Sequence, residues 1–225
     1  MRILIVAAHP DDEVLGAGAV AARHADRGDE VAIAILGEGL SARHASRDAV
    51  PAAERTALRE ASEKAAAILG AGRLRLHDFP DNRFDSVALL DIVKVVEAEI
   101  ADWQPEVVYT HFAGDLNIDH EITSRAVLTA CRPLPGAAVR RILAFEVPSA
   151  TGWGLPQHPF QPTVFADVSG TLERKVAALA AYDGELRPFP HPRSAEALRA
   201  KAAAWGSQSG LTAAEPFQLI REIAP

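Results

Sequence analysis

The chain has one cysteine and no long apolar run, and each of these absences excludes a class of protein. It contains one cysteine in 225 residues, Cys131, so an intramolecular disulfide is excluded. No segment approaches the roughly 18 consecutive apolar residues of a membrane-spanning helix, and residues 1–8 lack the form of a signal peptide. We therefore expect a cytoplasmic protein without an integral membrane segment.

Positive charge is also scarce. Lysine and arginine total 23 residues against 30 acidic ones, which gives a formal net charge of −7, and no local basic stretch stands out. Nucleic-acid-binding proteins need an electropositive patch or stripe, which this composition does not suggest. We expect no nucleic-acid partner.

What the chain does contain is typical of one large α/β domain. Its 225 residues are 48% hydrophobic and 24% charged, which is enough apolar material for a sizeable core. Apolar patterns predict strands over 3–6, 30–36, 73–77, 106–110 and 141–147, and helices over 13–26, 52–69, 87–101 and 118–131. This alternation predicts a Rossmann-like, mostly parallel sheet of order 3-2-1-4-5, flanked by helices.

We expect a single domain, 1–225, with the core sheet in residues 1–147 and a C-terminal cap or extension in residues 148–225. The extension begins with a proline-rich loop over 148–163, which is followed by a predicted strand and two helices. No linker separates the two parts. The loop and the C-terminal helices also offer surfaces for self-association, so a homo-oligomer is one expectation.

The first candidate site lies where the first strand ends. The sequence His9-Pro-Asp-Asp-Glu13 follows the apolar run, and its proline stops the strand and favours the first turn of a helix. Open α/β sheets bind ligands at the carboxyl ends of their strands. An imidazole and a nearby carboxylate there, with a second histidine from elsewhere, would form a three-ligand metal site. The alternative is an acidic helix N-terminus with no metal role.

A second polar cluster follows the fourth strand. It reads Thr110-His-Phe-Ala-Gly-Asp-Leu-Asn-Ile-Asp-His-Glu121, and we expect Asp119 to cap the next helix, with His120 in its first turn. A histidine at a helix start is commonly only solvated or capping. Here the fourth strand is expected beside the first, so both clusters would face one crevice, and His120 would supply the second imidazole.

These motifs resemble the PIG-L (LmbE-like) family of zinc-dependent N-acetylglucosamine deacetylases. The resemblance rests on HPDDE after an N-terminal strand and on Asp-His at the start of the helix after the fourth strand. The helix containing Arg59-Glu60 and ending at Leu69-Gly70 adds to it, so the likeness covers about residues 1–147.

The resemblance implies a ligand set and a catalytic base. It places the metal on His9, Asp12 and His120 and the general base on Asp11. The implied metal is Zn²⁺, and Fe²⁺ or another divalent ion is an alternative because histidine and aspartate bind several metals. The implied activity is hydrolysis of the N-acetyl group of an N-acetylglucosamine-type sugar or its conjugate, a small-molecule substrate, with release of acetate.

The chain departs from the family at one catalytic position. Family members usually carry a histidine three residues before the second histidine ligand, where it stabilises the oxyanion, and here that residue is Asn117. Either the Asn117 amide donates this hydrogen bond, or His111 or His191 replaces it.

Five further residues are candidates for substrate binding. Specificity is expected in the loops 37–51, 81–86 and 148–163, which would lie above the sheet. A solvated turn or helix surface is the alternative for each candidate, and the candidates are Arg55, Arg59, Asp81, Arg83 and His191.

Two other functions remain open. Gly16-Ala-Gly18-Ala-Val-Ala21 matches a dinucleotide-binding fingerprint, but its glycines come eight or more residues after the strand, and carboxylates occupy the place of the diphosphate. A non-catalytic metal- or sugar-binding relative is the second alternative. Asn117 is the feature that favours it, whereas the spare carboxylate of Asp11 argues for catalysis.

Overall fold

The fold was described from a computed structural model, which covers residues 1–154 and 157–224. Two positions of the predicted 148–163 loop, Leu155 and Pro156, lie outside the described residues. The strands are β1 (Arg2–Ala7), β2 (Glu30–Gly37), β3 (Arg73–Phe79), β4 (Val107–His111), β5 (Arg141–Phe145), β6 (Val164–Asp167) and β7 (Ala214–Glu222). The α-helices are α1 (Asp12–Asp26), α2 (Ala52–Leu69), α3 (Leu89–Trp103), α4 (Ile118–Ala130), α5 (Leu172–Leu179) and α6 (Ala195–Ser209).

The strands form one sheet in the order β3-β2-β1-β4-β5-β7-β6. Strands β1 to β5 are parallel to their neighbours, and β7 and β6 extend the sheet in antiparallel pairs. The predicted α/β class and the order 3-2-1-4-5 are therefore confirmed. Among the helices of the described ranges, none is long and apolar enough to cross a membrane.

Sequence patterns missed strand β7. It contains Pro216, and proline is strongly depleted inside sheets because it cannot donate a ladder hydrogen bond. The sheet tolerates it because residues 214–217 pair with β6, whereas β5 pairs only with residues 217–222. Pro216 therefore lies where β7 has a single partner.

Strand β1 is buried on both faces, as its unbroken apolar run predicts. Ile3, Ile5 and Ala7 join the core cluster that contains residues of α1, α2, α5 and α6. Leu4 and Val6 join the opposite cluster, with residues of α3 and α4. The end of β1 is thereby fixed in the middle of the sheet, beside β2 and β4.

Helix α1 is broken inside the glycine-rich segment. Ala17 has non-helical φ and ψ of −140° and 18°. Two groups of the C-terminal extension bind the backbone around the break. Glu215 accepts hydrogen bonds from the amides of Ala19 and Val20, at 3.1 and 2.6 Å. Lys175 donates to the Leu15 carbonyl at 2.8 Å and pairs with Glu215 at 2.6 Å.

Packing at this break explains the glycines of the dinucleotide-binding pattern, Gly16 and Gly18. A Cβ atom at Gly16 would lie 2.1 Å from the Phe145 ring of β5, and one at Gly18 would lie 3.3 Å from the Lys175 side chain. Both glycines lie inside α1 rather than in a turn after β1. Close packing of α1 on β5 and on α5, not a diphosphate, accounts for the pattern.

The Gly16→Ala variant should be less stable than wild type by about 1–3 kcal/mol, because the added methyl group overlaps the Phe145 ring in a packed core. Urea denaturation followed by circular dichroism measures the change. Gly170→Ala is the matched control, since nothing lies within 4 Å of its added Cβ, and its stability should stay within about 0.5 kcal/mol. Equal stability of both variants would contradict the packing explanation.

Candidate active site

The carboxyl ends of two neighbouring strands bring the predicted clusters together. β1 pairs in parallel with β4, with Ile3 opposite Val107 and Ile5 opposite Tyr109. The segment after β1 leads directly into α1, and the segment after β4 leads into α4. Both polar clusters therefore lie at one edge of the sheet.

His9, Asp12 and His120 converge on one point. His9 Nδ1 and His120 Nε2 each lie 3.1 Å from Asp12 Oδ2, and one ligand atom from each residue falls within 4.8 Å of the others. Metal–ligand distances of about 2.0–2.2 Å in a tetrahedral site place ligand atoms roughly 3.3–3.5 Å apart. The observed separations and the two-imidazole, one-carboxylate donor set therefore fit a zinc-type site.

A carboxylate lies on the far side of each imidazole. His9 Nε2 lies 2.9 Å from Asp119 Oδ2, and the other Asp119 oxygen accepts a hydrogen bond from the Phe84 amide. His120 Nδ1 lies 3.1 Å from Asp115 Oδ1. Such carboxylates fix the tautomer of a metal-binding histidine and make it more basic. The nitrogens that face Asp12 are those of the predicted metal set, and His9 also belongs to a second group that could hold a cation, with Asp81 and Asp119.

The electrostatics of the three residues favour positive charge at this point. Burial opposes ionisation of Asp12, but His120 and His9 outweigh it, so the pKa of Asp12 lies well below its usual value. Burial also lowers the pKa values of the two imidazoles, yet the surrounding carboxylates raise them to about 10 for His9 and about 9 for His120. A divalent cation would compete with these protons for the same nitrogens.

Asp11 is held in a strained conformation beside this set. Its φ of 101° is left-handed, which is uncommon for a residue with a side chain. The buried Glu13 side chain supports it: one carboxylate oxygen accepts from the Asp11 amide at 3.0 Å, and the other accepts from the Tyr182 hydroxyl at 2.6 Å. Glu13 therefore fixes the backbone that aims Asp11.

Arg193 contacts Asp11, and the sequence patterns gave no indication of this pair. Its Nη1 atom lies 2.5 Å from Asp11 Oδ2 and 2.5 Å from Glu185 Oε2. Burial raises the pKa of Asp11 well above its usual value, and the charge of Arg193 opposes that rise. The sequence did offer one signal for this residue. Arg193 ends a proline-rich run that also contains His191, a predicted site residue.

Asn117 is the N-cap of α4, and the expected cap at Asp119 is wrong. Asn117 Oδ1 accepts a hydrogen bond from the Asp119 amide at 2.8 Å, and its Nδ2 donates to Asn82 at 2.9 Å. Asp119 lies within the helix, where its carboxylate is buried against His9. The Asn117 amide keeps a second N–H.

His111 is not placed for the oxyanion role considered for it. It is fully buried, and its Nε2 accepts a hydrogen bond from the Ala8 amide at 2.8 Å, so its hydrogen resides on Nδ1. Nδ1 is buried without a partner among the described residues. Burial and the charge of His120 keep the pKa of His111 well below its usual value. Its ring stacks on His120 at 4.0 Å between centroids, which supports that residue instead.

Two of the five substrate-binding candidates lie near the convergence point. Asp81 is buried, with one oxygen 3.4 Å from His9 Nε2. His191 lines a cavity of about 400 Å³ together with Arg193, whose guanidinium contacts Asp11.

The other three candidates form no hydrogen bond or ion pair with the converging residues in the described part of the chain. Arg83 is exposed on the turn before Phe84. Arg55 donates to the carbonyls of Arg47 and Val50. Arg55 and Arg59 line a separate cavity of about 250 Å³, and their predicted contact with substrate stays a prediction.

The purified protein should bind about one equivalent of a divalent metal, and His120→Ala should lose most of it, because one of the three converging donors is removed. Dialysis followed by mass-spectrometric metal analysis measures the occupancy. His158→Ala is the control, since His158 is exposed and should leave occupancy unchanged. Full occupancy in His120→Ala would show that the metal binds elsewhere.

Comparison with known proteins agrees with this arrangement. The model of the PIG-L family, described as GlcNAc-PI de-N-acetylase, matches residues 4–131. A relative in Escherichia coli K12, the uncharacterized deacetylase YaiS, is 32% identical over 171 residues, which cover 74% of this chain and 81% of YaiS.

Two crystal structures share the fold along nearly the whole chain. The conserved protein TT1542 from Thermus thermophilus is 26% identical, with a TM-score of 0.77 over 99% of this chain and 96% of its own. GalB, the 4-carboxy-2-hydroxymuconate hydratase from Pseudomonas putida, is 24% identical, with a TM-score of 0.79 over 100% and 98%. The family match covers more than half of the sequence, and YaiS extends the likeness further, so the chain belongs to the PIG-L family.

Proposed function

We propose that this protein is a metal-dependent N-deacetylase that removes the acetyl group from an N-acetylglucosamine-type sugar or its conjugate. The observation that carries the proposal is the position of Asp11. Its carboxylate is adjacent in sequence to the ligand candidate Asp12, but it is turned to Arg193 and is not part of the converging set. A carboxylate that is free of the metal is what a hydrolase needs as a proton acceptor.

His9, Asp12 and His120 would hold the metal, for which Zn²⁺ is the first candidate and Fe²⁺ an alternative. When bound, the ion supplies positive charge that lowers the pKa of an adjacent water and polarises the acetamide carbonyl. Three protein donors leave a position open for substrate and water, as in other catalytic zinc sites.

The protein's own side chains carry out the remaining steps. Asp11 accepts the proton of the attacking water and then donates it to the leaving nitrogen, so that one acetamide and one water give acetate and a free amine. Arg193 binds one oxygen of Asp11 and leaves the other for this transfer. Asn117 has an amide N–H available for the developing oxyanion, which is the role the family usually gives to histidine.

The fold alone does not separate this reaction from others. The hydratase GalB has the same architecture at 24% identity, so the fold supports more than one water chemistry. The family description and the deacetylase relative YaiS favour the amide. The non-catalytic alternative loses its main support if Asn117 donates as described.

Asp11→Asn should lower kcat for acetate release about 10²–10⁴-fold with little change in metal content, because the amide cannot accept the proton of water. Release of acetate from a panel of N-acetylglucosamine derivatives measures the rate. Asp91→Asn, an exposed change on α3, is the control and should be fully active. Wild-type activity in Asp11→Asn would remove Asp11 from its proposed role.

Glu13→Ala should lower kcat about 10–100-fold while KM changes little, because the Asp11 amide and the Tyr182 hydroxyl both lose their acceptor. Glu13→Gln retains one carbonyl oxygen for the Asp11 amide, and the Tyr182 hydroxyl can turn to accept from the new amide group. Substantial recovery in the glutamine variant is therefore expected. Equal losses in both variants would show that the charge of Glu13, not its hydrogen bond to Asp11, is what matters.

A further inference from the structure

Asn82 has a backbone conformation that residues with a side chain rarely adopt. Its φ of 53° is left-handed, which it shares with two other non-glycine residues of segments 1–154 and 157–224, Asp11 and Gln104. Such residues concentrate at functional sites. Gln104 is explained by its place at the end of α3, where a left-handed residue is common. Asn82 lies in the turn after β3, which the Arg83 amide closes on the Pro80 carbonyl at 3.2 Å. Glycine would take this conformation more readily, so the asparagine side chain needs an explanation of its own.

The turn that carries Asn82 reaches over the sheet to helix α4. In the sheet, β2 and β1 separate β3 from β4, yet the Asn82 side chain contacts Asn117, the N-cap of α4. Phe84, which is fully buried, anchors this path. Its amide donates to Asp119 Oδ1 at 2.9 Å, and its ring centroid lies 6.0 Å from that of His9. The turn is therefore held beside the predicted metal-binding residues.

Both ends of the Asn82 side-chain amide are engaged. Its Nδ2 donates to Asp81 Oδ1 at 3.0 Å, and its Oδ1 accepts from Asn117 Nδ2 at 2.9 Å. Asp81 is itself buried, and its other oxygen accepts from the Ala42 amide at 3.3 Å. Because an ionised carboxylate only accepts hydrogen bonds, Asp81 determines which end of the Asn82 amide faces Asn117. The N-cap of α4 therefore meets a carbonyl oxygen in a fixed orientation.

This contact gives the Asn117 amide a second anchor. The first is the N-cap hydrogen bond, in which Oδ1 accepts from the Asp119 amide at 2.8 Å. The torsion that turns an asparagine amide is broad, so one bond at Oδ1 leaves the NH2 group free to move. When Asn82 also holds one N–H, that rotation is restricted and the other N–H has a defined direction. A donor that is oriented before the reaction costs no reorganisation when the oxyanion forms.

We infer that Asn82 is a positioning residue, which orients the Asn117 amide toward the oxyanion of the deacetylation reaction. The inference rests on the proposed deacetylase function and adds to it a residue that acts through Asn117 alone. Asn82 would contact neither the metal nor the acetyl group. The alternative is that the Asn82–Asn117 contact only joins two loops, in which case its loss would lower stability and leave kcat unchanged.

Asn82→Gly removes the side chain and keeps a residue that suits a left-handed φ. Its kcat for acetate release should fall about tenfold, because a misdirected donor stabilises the transition state less well. KM should change little, since the oxyanion is absent from the bound substrate. Steady-state kinetics on an N-acetylglucosamine derivative measures both. A wild-type kcat in Asn82→Gly, or a rise in KM alone, would overturn the inference.

Gln104→Gly is the matched control. It also removes a side chain at a left-handed residue, but it lies just before β4, at the end of that strand away from the site. Its kcat should equal that of wild type. An equal loss of kcat in Gln104→Gly and Asn82→Gly would show a general effect of the glycine and would overturn the inference.

A double variant separates action through Asn117 from an independent effect. Asn117→Ser keeps an N-cap acceptor but has no amide, and it should lower kcat about 10²–10³-fold. Adding Asn82→Gly to it should cause no further loss, because the group that Asn82 positions is already absent. Losses that multiply in the double variant would show that Asn82 acts elsewhere and would overturn the inference.

Crystal structures of wild type and Asn82→Gly test the positioning without turnover. The Asn117 amide should have one orientation in wild type, and in the variant it should rotate or occupy several. The same single orientation in both proteins would overturn the inference. If metal-loaded wild type releases no acetate from any N-acetyl sugar, the deacetylase function itself is overturned and the oxyanion role with it. The other contrary outcomes overturn only the role of Asn82.

Discussion

The candidate site depends on one carboxylate oxygen held between two imidazoles. Asp12 Oδ2 lies 3.1 Å from a nitrogen of His9 and 3.1 Å from a nitrogen of His120. The two histidines come from segments after different strands, so the contact exists only because β1 and β4 are neighbours in a parallel sheet. The sheet order is therefore a requirement of the chemistry as well as of the core.

Around this oxygen, three consecutive acidic residues make different contacts. Asp12 faces the imidazoles, Asp11 turns to Arg193, and Glu13 turns inward to Tyr182 and to the Asp11 amide. Three consecutive carboxylates can point in three directions because Asp11 takes a left-handed conformation. The cost of that conformation, about 1–3 kcal/mol, is offset by the hydrogen bond that the Asp11 amide donates to the Glu13 carboxylate.

Local sequence patterns and the topology of parallel sheets were sufficient to predict the sheet order and the convergence of His9, Asp12 and His120. Strand ends in a parallel sheet share an edge, and a proline after an apolar run marks where a strand ends. Other features depend on tertiary context. Asn117 and Asp119 are both good cap residues, and only the path of the loop decides that Asn117 caps while Asp119 binds an imidazole.

Contacts between segments that are distant in sequence could not be predicted from local sequence patterns. Arg193 reaches Asp11 across 182 positions, and no periodicity couples the two. Strand β7 was hidden by Pro216, whose cost disappears only when the strand has a single partner at that position.

The broken helix α1 has a consequence for how the protein is made. The amides left without helical partners at the break are bound by Glu215, which follows Ala19 by 196 positions. A growing polypeptide presents His9 and Asp12 to the cell long before the ribosome has added this glutamate. The nascent chain therefore carries the candidate metal-binding residues before the break in α1 is braced, and the brace forms only after residue 215 has been synthesised.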